Sequence, residues 1–493
     1  MHFTACYLFL RKKIFVVRKI HMDSLIQDSS RRNTIWGIEN RNLTIGLLLV
    51  IVACAFESLA ISTIMPAVSD QFQGMHLYGW AFSAFMLTNL IGLMVAGSEA
   101  DRYGPSVPFI AGVVLFSVGL LVGGIAWNMQ SFIIGRAIQG FGAGFIGSIS
   151  YVVIGRGYSD DIRPRMLAFT SSAWVVPGLI GPYIAAQINE FASWRWVFLG
   201  LIPMVCLAAA LAWPAMGRLN RSSQTARNWK PILLASRLAI GTGVFLFALG
   251  LLAPDQGLLP SLINERFQLP ITIVLIAGAA LVTWDALRRL LPVGSLRAAP
   301  GLPAAIATHG LINLAFMGSE TLIPLGYTTV RGLSLQVVGI ILTSSTIAWT
   351  LGSWIQAHFA QKGYRRRLSI IGLLCIALGI IGFVVSLTPI VPVWLIPALR
   401  IIAGIGMGMS YATNSVIVLE MAPQGQEGAV SSAMQVSSNL GVALGSGIGG
   451  AILALTAASG PQTGMNIFSL FALLITILGI FTASRLPAMR KTA

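Results

Sequence analysis

"RAIQGFGAG" fills residues 136–144 and "RIIAGIGMG" residues 400–408. Both read R-x-x-x-G-x-G-x-G inside apolar stretches, at an offset of 264. Three more pairs follow the same order: "ESLA" at Glu57 with "ETLI" at Glu320, "ADR" (100–102) with "AQK" (360–362), and "SSA" (171–173) with "SSA" (431–433). Matches in order at nearly one offset define an internal repeat. The chain is therefore read as two copies of one helical bundle, an organisation that suits rocking of one half against the other around a central site.

The composition sets the solvent. Of 493 residues, 56% are apolar and 10% charged, against about 25% charged in soluble domains, and the mean hydropathy is +0.80. Apolar runs of roughly 20 residues recur from Leu43 onward, the length a transmembrane helix needs. They do not alternate as membrane strands would. Fourteen spans are predicted: 43–66, 79–98, 108–127, 131–154, 168–188, 196–216, 232–253, 269–287, 301–325, 336–357, 368–388, 391–416, 428–456 and 464–484. The expected fold is an all-α polytopic membrane protein: a basic tail (1–42), a six-helix bundle (43–216), a linker with two extra spans (217–300), a second six-helix bundle (301–485) and a short tail (486–493).

The net charge of +16 raises the question of nucleic acid, and its distribution answers it. With both termini in the cytoplasm, outer loops hold only Arg195, Arg266 and Arg331, and spans hold Arg136, Arg237 and Arg400. The remaining Lys and Arg lie in tails and inner loops, the positive-inside bias of a multi-pass plasma-membrane protein. A lipid bilayer, not nucleic acid, is the expected partner. Arg237 is placed to snorkel to the cytoplasmic face. Trp80, Trp127, Trp194, Trp196 and Trp394 fall near outer span ends, where amphipathic rings prefer the interface. Cys6, Cys54, Cys206 and Cys375 have no disulfide or metal spacing. His2, His21, His76, His309 and His358 form no metal pattern either, and no nucleophile motif or phosphate loop appears. Residues 1–21 are either part of the basic tail or precede a start at Met22; they carry no cleaved-signal pattern.

Glu57 and Arg136 are charges buried in apolar spans, which is costly and points to function. Glu57 lies roughly 13 Å, and Arg136 roughly 8 Å, from the outer ends of their spans, depths that allow them to meet. Glu320 and Arg400 repeat the arrangement. Desolvation raises a carboxylate's pKa and a nearby guanidinium lowers it, so changing their separation loads and unloads a proton. The bland reading is a static ion pair, and for Glu320 a role at the outer mouth.

"GAGFIG" (142–147) and "GSGIGG" (445–450) match the dinucleotide fingerprint by letter. That fingerprint needs a strand before it and a helix after it. Inside apolar helices the same spacing lets neighbouring helices approach, and packing is the expected role. "GSEADRYGP" (97–105) suggests a tight turn with a charge lock at the inner end of the second span. Asn313, Tyr411, Asn414, Gln435 and Asn439 are polar residues on spans, able to line a cavity or to join helices.

At these residues the sequence resembles the major facilitator superfamily, in its fourteen-helix drug:proton antiporter branch. "GSEADRYG" resembles the superfamily's loop signature, with Pro105 and Ser106 in place of its basic pair and Glu99 at a usually apolar position. "RAIQGFGAG" resembles the fourth-span arginine motif, "FESLAISTIMP" (56–66) the branch's first-span motif, and "SWRWVFL" (193–199) the opening of its sixth span. "PGLIGPYIAA" (177–186) resembles the antiporter motif, with Ala185 and Ala186 replacing two glycines. The resemblance implies that Gly97, Asp101, Arg102 and Gly104 form a cytoplasmic gate that latches the halves in the outward-facing state. It implies proton linkage through Glu57 and Arg136, and a bend at Pro177, Gly178, Gly181 and Pro182 that favours exchange. No acid occurs in "GIILTSSTIAWTLGSW" (339–354), which disfavours dicationic substrates.

The expected function is secondary transport: export of amphipathic, monocationic or neutral small molecules in exchange for protons, by a monomer, with the proton motive force as energy source and no cofactor. Export of a lipid or specific metabolite, proton symport, and a non-transporting sensor or scaffold remain open at this point.

Overall fold

The computed structural model describes residues 35–37, 40–159, 161–219, 229–253, 265–360, 363–423 and 426–487. Most of both expected tails, and the choice between Met1 and Met22, lie outside these residues. Fourteen helices are long and apolar enough to span a membrane, and no strand occurs among the described residues. They are α1 (Arg41–Gln71), α2 (Met75–Tyr103), α3 (Ser106–Gly124), α4 (Met129–Gly157), α5 (Arg165–Phe191), α6 (Arg195–Leu219) and α7 (Trp229–Gly250). The series continues with α8 (Leu269–Leu290), α9 (Leu302–Thr329), α10 (Leu335–Ala360), α11 (Arg365–Ser386), α12 (Val393–Glu420), α13 (Gly428–Leu455) and α14 (Pro461–Ala483). Several overrun their apolar runs. α1, with 31 residues, is roughly 46 Å long against a hydrocarbon core of about 30 Å. Fourteen spans place the start of α1 and the end of α14 on one face, here termed the chain-end face.

The glycine motif decides how α4 and α12 pack. A β-carbon built at Gly140 would lie 2.2 Å from the Phe85 carbonyl oxygen of α2, and one at Gly144 2.3 Å from that of Asn89. At Gly142 it would lie 2.4 Å from the Phe116 nitrogen of α3. The second copy repeats this: Gly404 and Gly408 face the carbonyls of Ser345 and Trp349 on α10 at 2.2 and 2.1 Å, and Gly406 faces that of Gly372 on α11 at 2.4 Å. Each arginine helix is thus wedged between two neighbours at backbone contact distance, which only glycine permits. α4 opens with a reciprocal cap: Asn128 Oδ1 accepts from the Ser131 N–H at 2.8 Å, and Ser131 Oγ accepts from the Asn128 N–H at 3.2 Å.

The two copies assemble alike. Packing of α1 on α5 and α6, of α4 on α2 and α3, and of α3 on α6 recurs eight helices later among α9 to α14. The copies meet where α2 packs on α13 and, equivalently, α5 on α10, with α1 on α9 between. Ser83 Oγ donates to the Ala443 carbonyl at 2.8 Å, the Tyr78 hydroxyl to that of Thr321 at 3.0 Å, and Asn439 Nδ2 to Asn89 Oδ1 at 2.8 Å. These contacts run from mid-helix to the face opposite the chain ends, so the seam is closed there.

α7 lies over the seam and touches both α2 and α13, with α8 packed on α7. Leu246 of α7 presses on Gly447, where a β-carbon would be 2.4 Å away. Arg237 does more than snorkel: its Nη2 lies 3.4 Å from Asp285 of α8, which also accepts from Arg289 Nε at 3.0 Å. Trp194 departs from the expected interfacial belt. It is 3% exposed, ringed by Phe72, Phe132 and Phe198, and its Nε1 donates to Gln71 Oε1 at 2.6 Å. Trp127, Trp196 and Trp394 are exposed and Trp80 half-buried. Helix geometry breaks near the site as well: α5 is interrupted at 173–174, and α9 holds a π-turn over Asn313–Met317.

Candidate functional site

Three helices build the first charged centre. α4 carries Arg136, whose Nη1 donates to Glu57 Oε1 of α1 and to Gln139 Oε1 one turn along α4. Its Nε donates to the Ala81 carbonyl of α2 at 3.1 Å, and its guanidinium lies 4.4 Å from the Phe85 ring centre. Glu57 is 1% exposed and Arg136 2%. Glu57 Oε2 and Gln139 Nε2 are buried without a hydrogen-bond partner. An ion pair sealed from water with one carboxylate oxygen unsatisfied is poor as a structural bolt, because desolvation offsets most of the attraction.

The second centre repeats the first with a difference. Arg400 of α12 donates through Nη2 to Glu320 of α9, with Ser345 Oγ of α10 at 3.5 Å, and stands 5.9 Å from the Phe316 ring. Glu320's side chain is 18% exposed, whereas that of Glu57 is 1% exposed. One carboxylate is sealed; its counterpart is partly open.

At the chain-end face, helix α2 runs to Tyr103, so Glu99, Asp101 and Arg102 occupy its last turn and only Gly104 and Pro105 make the bend. Gly104 has φ +80°, a conformation that favours glycine; Gly97 meets nothing closer than Ser148 Oγ at 3.8 Å from a built β-carbon. Asp101 Oδ1 accepts from Arg156 Nη2 of α4 at 3.0 Å, and Arg102 lies over the Tyr103 ring at 4.8 Å. The other copy has Arg365 of α11 paired with Glu420 of α12 through two contacts, one at 2.9 Å.

Pro177, Gly178, Gly181 and Pro182 are all buried in α5. A β-carbon at Gly178 would lie 2.5 Å from Thr346 Cγ2 of α10, and one at Gly339 of α10 would lie 3.0 Å from the Pro182 carbonyl oxygen. One at Gly181 would lie 3.6 Å from Phe56 of α1. The motif therefore lies on the inter-copy contact. Beside it, an apolar cleft of about 270 Å³ opens between α1, α5 and α6, lined by Val52, Phe56, Pro177, Ile180 and Met204 among others.

The polar candidates separate. Asn414 is fully buried and donates to Ser369 Oγ of α11 at 3.0 Å and the Ser410 carbonyl at 2.7 Å, so it joins helices and lines no cavity. Asn313, 3% exposed, donates to the His309 carbonyl at 2.8 Å. Asn439 holds the seam through Asn89. Tyr411 and Gln435 are half-buried. Sequence reasoning missed Gln139, which braces Arg136 from one turn along α4, and Arg156, Arg365, Glu420 and Asn89, whose partners lie across helices. It also set aside His309, which stacks on Tyr411 at 4.4 Å. Among the described residues no cluster of His, Cys, Asp and Glu could hold a metal.

Two repeat-related helical bundles, each with an arginine held to a membrane-embedded acid, define a polytopic membrane transporter. The model of the Major Facilitator Superfamily matches residues 47–446 and again 305–493, and the chain belongs to that superfamily. It is 27% identical over 414 residues to the multidrug efflux pump SdrM of Staphylococcus aureus (strain N315), covering 83% of this chain and 89% of that protein. It is 23% identical to the methylenomycin A resistance protein of Bacillus subtilis (strain 168), covering 84% and 87%. Among solved structures, a D-xylose-proton symporter superposes with TM-score 0.61 at 15% identity, covering 91% of this chain and 98% of that one, and shares the fold. The chain is a transporter, not an enzyme.

Proposed function

We propose that this transporter sits in the plasma membrane with both ends in the cytoplasm and exports amphipathic, monocationic or neutral small molecules in exchange for protons, as a monomer. The observation that carries the reading is the sealed Glu57–Arg136 pair with its unsatisfied carboxylate oxygen. Moving Arg136 away favours uptake of a proton by Glu57, and its return favours release. Each elementary charge moved is worth about 2.3 kcal/mol per 100 mV, roughly 50-fold in substrate concentration. The names of the bacterial relatives support drug-like cargo leaving the cell, and the Lys and Arg bias supports cytoplasmic chain ends. The seam contacts, closed away from the chain ends, then correspond to an inward-facing state.

Everted vesicles test the direction and the coupling together. Antiport predicts that substrate enters the lumen as lumenal acid is lost; entry with no proton movement contradicts it, and entry that acidifies the lumen indicates symport.

A further inference from the structure

α9 carries both a carboxylate and an imidazole within the membrane. Glu320 lies nine residues from Thr329, roughly 14 Å from the closed face, and His309 seven residues from Leu302, roughly 10 Å from the chain-end side. Their side chains are joined by packed rings. His309 stacks on Tyr411 of α12 at 4.4 Å, Tyr411 on Trp349 of α10 at 5.5 Å, and Trp349 on Phe316 of α9 at 6.1 Å. Phe316 in turn lies under Arg400, which holds Glu320. The π-turn over Asn313–Met317 falls between the two groups, and such turns are frequent at functional sites.

His309 is 1% exposed, and its Nδ1 has no hydrogen-bond partner. A buried polar atom left unpaired is unfavourable and asks for an explanation. The facing groups supply none. α12 presents the Tyr411 ring; α13 and α14 contain no Asp, Glu, Lys, Arg or His between Gly428 and Leu455 or between Pro461 and Ala483. Of α13 and α14, the side chains that reach the adjacent positions are hydroxyls, Ser437 against Gly310 and Thr482 against Thr308. α10 contributes Trp349 to the ring chain, and its one ionisable residue, His358, lies in its last turn. Tyr411, stacked on the imidazole, is half-buried and within electrostatic reach of Tyr151 on α4 of the other bundle, so its ring lies on the side of His309 toward the seam. The first bundle lacks the feature, since the matching place in α1 is Gly46, where a built β-carbon would lie 2.6 Å from the Ala208 carbonyl oxygen of α6.

We propose that His309 is a second proton-carrying site, which exchanges protons with the seam when Tyr411 swings aside and so sets the pH range over which the second bundle works. The inference rests on the proton-coupled reading above. Once the moving ring opens it to water, imidazole changes charge between about pH 5 and 8, and a single titrating group gives a limb of about tenfold per pH unit.

The test uses the full chain in proteoliposomes, with ethidium as the probe, accumulation driven by a constant imposed pH gradient, and the absolute pH scanned across that range. Two variants, His309→Gln and His309→Asn, remove the titrating ring and keep a polar group, so one that fails to fold leaves the other. The wild type is expected to show a limb in the imidazole range, and both amide variants to lose it while binding ethidium with unchanged affinity. A variant profile that superimposes on a gradient-driven wild type overturns the station alone, as does loss of ethidium binding, which marks a packing role. A wild type indifferent to the gradient overturns the coupled reading and the station with it.

Discussion

Arg156 and Glu420 stand at equivalent ends of α4 and α12, at the same offset of 264 as the embedded arginines, and carry opposite charges. Arg156 binds Asp101 at 3.0 Å within the first bundle; Glu420 binds Arg365 within the second. Each copy is therefore bolted on the chain-end face through its arginine helix, α4 to α2 in the first and α12 to α11 in the second, with the charge on the arginine helix reversed.

Asp101→Asn is expected to loosen the first bolt, which is made within one bundle in the state open at the chain ends, and so to move the resting population away from that state. The Asp101 side chain is 68% exposed, and exposed pairs are worth about 0–1 kcal/mol, so the shift should stay within about fivefold. Spin-label distances between the chain-end thirds of α4 and α12 measure it. An unchanged distribution would remove Asp101 from any latch.

Arg136→Ala leaves Glu57 buried and uncompensated, which is expected to cost about 3–5 kcal/mol. Removing both charges, as Glu57→Gln with Arg136→Gln, should restore most of that loss. Thermal unfolding in detergent compares the two. A double variant no more stable than the single one would show that the pair contributes through something other than charge.

Glycine positions give a sharper contrast. Gly144→Val drives a branched side chain into the Asn89 carbonyl, an overpacking of about 1–3 kcal/mol or more. Gly147→Val, three residues on in the same helix, has no atom within 4 Å of its β-carbon and should change stability by less than about 0.5 kcal/mol. Yield of monodisperse protein reads both, and equal effects would contradict the packing of α4.

Much of this architecture is legible in the residues because bilayer physics writes it in one dimension. Apolar run length marks the fourteen spans, and the arginine–glycine motif marks both copies. Depth arguments bring Glu57 to Arg136, since a charge in hydrocarbon needs a partner. Partners set by helix rotation are less accessible. Arg156 reads as an ordinary loop arginine until α4 places it beside Asp101. Asn414 and Tyr411 lie three residues apart, yet one joins helices through its amide and the other, half-buried, stacks on His309 and Trp349. Trp194 resembles an interfacial anchor by position and is a buried plug because Phe72, Phe132 and Phe198 converge on it. His309 passes unnoticed because a metal pattern is the wrong test for a lone buried imidazole.

The exchange account stands on the two embedded carboxylates, and one assay reaches both. Proteoliposomes holding the wild type, Glu57→Gln, or Glu57→Gln with Glu320→Gln are given an acid lumen, and ethidium accumulation is followed together with lumenal pH. The account predicts uphill accumulation with proton loss in the wild type, and only downhill equilibration in the variants despite retained ethidium binding. Undiminished uphill accumulation by the doubly neutralised protein would contradict it.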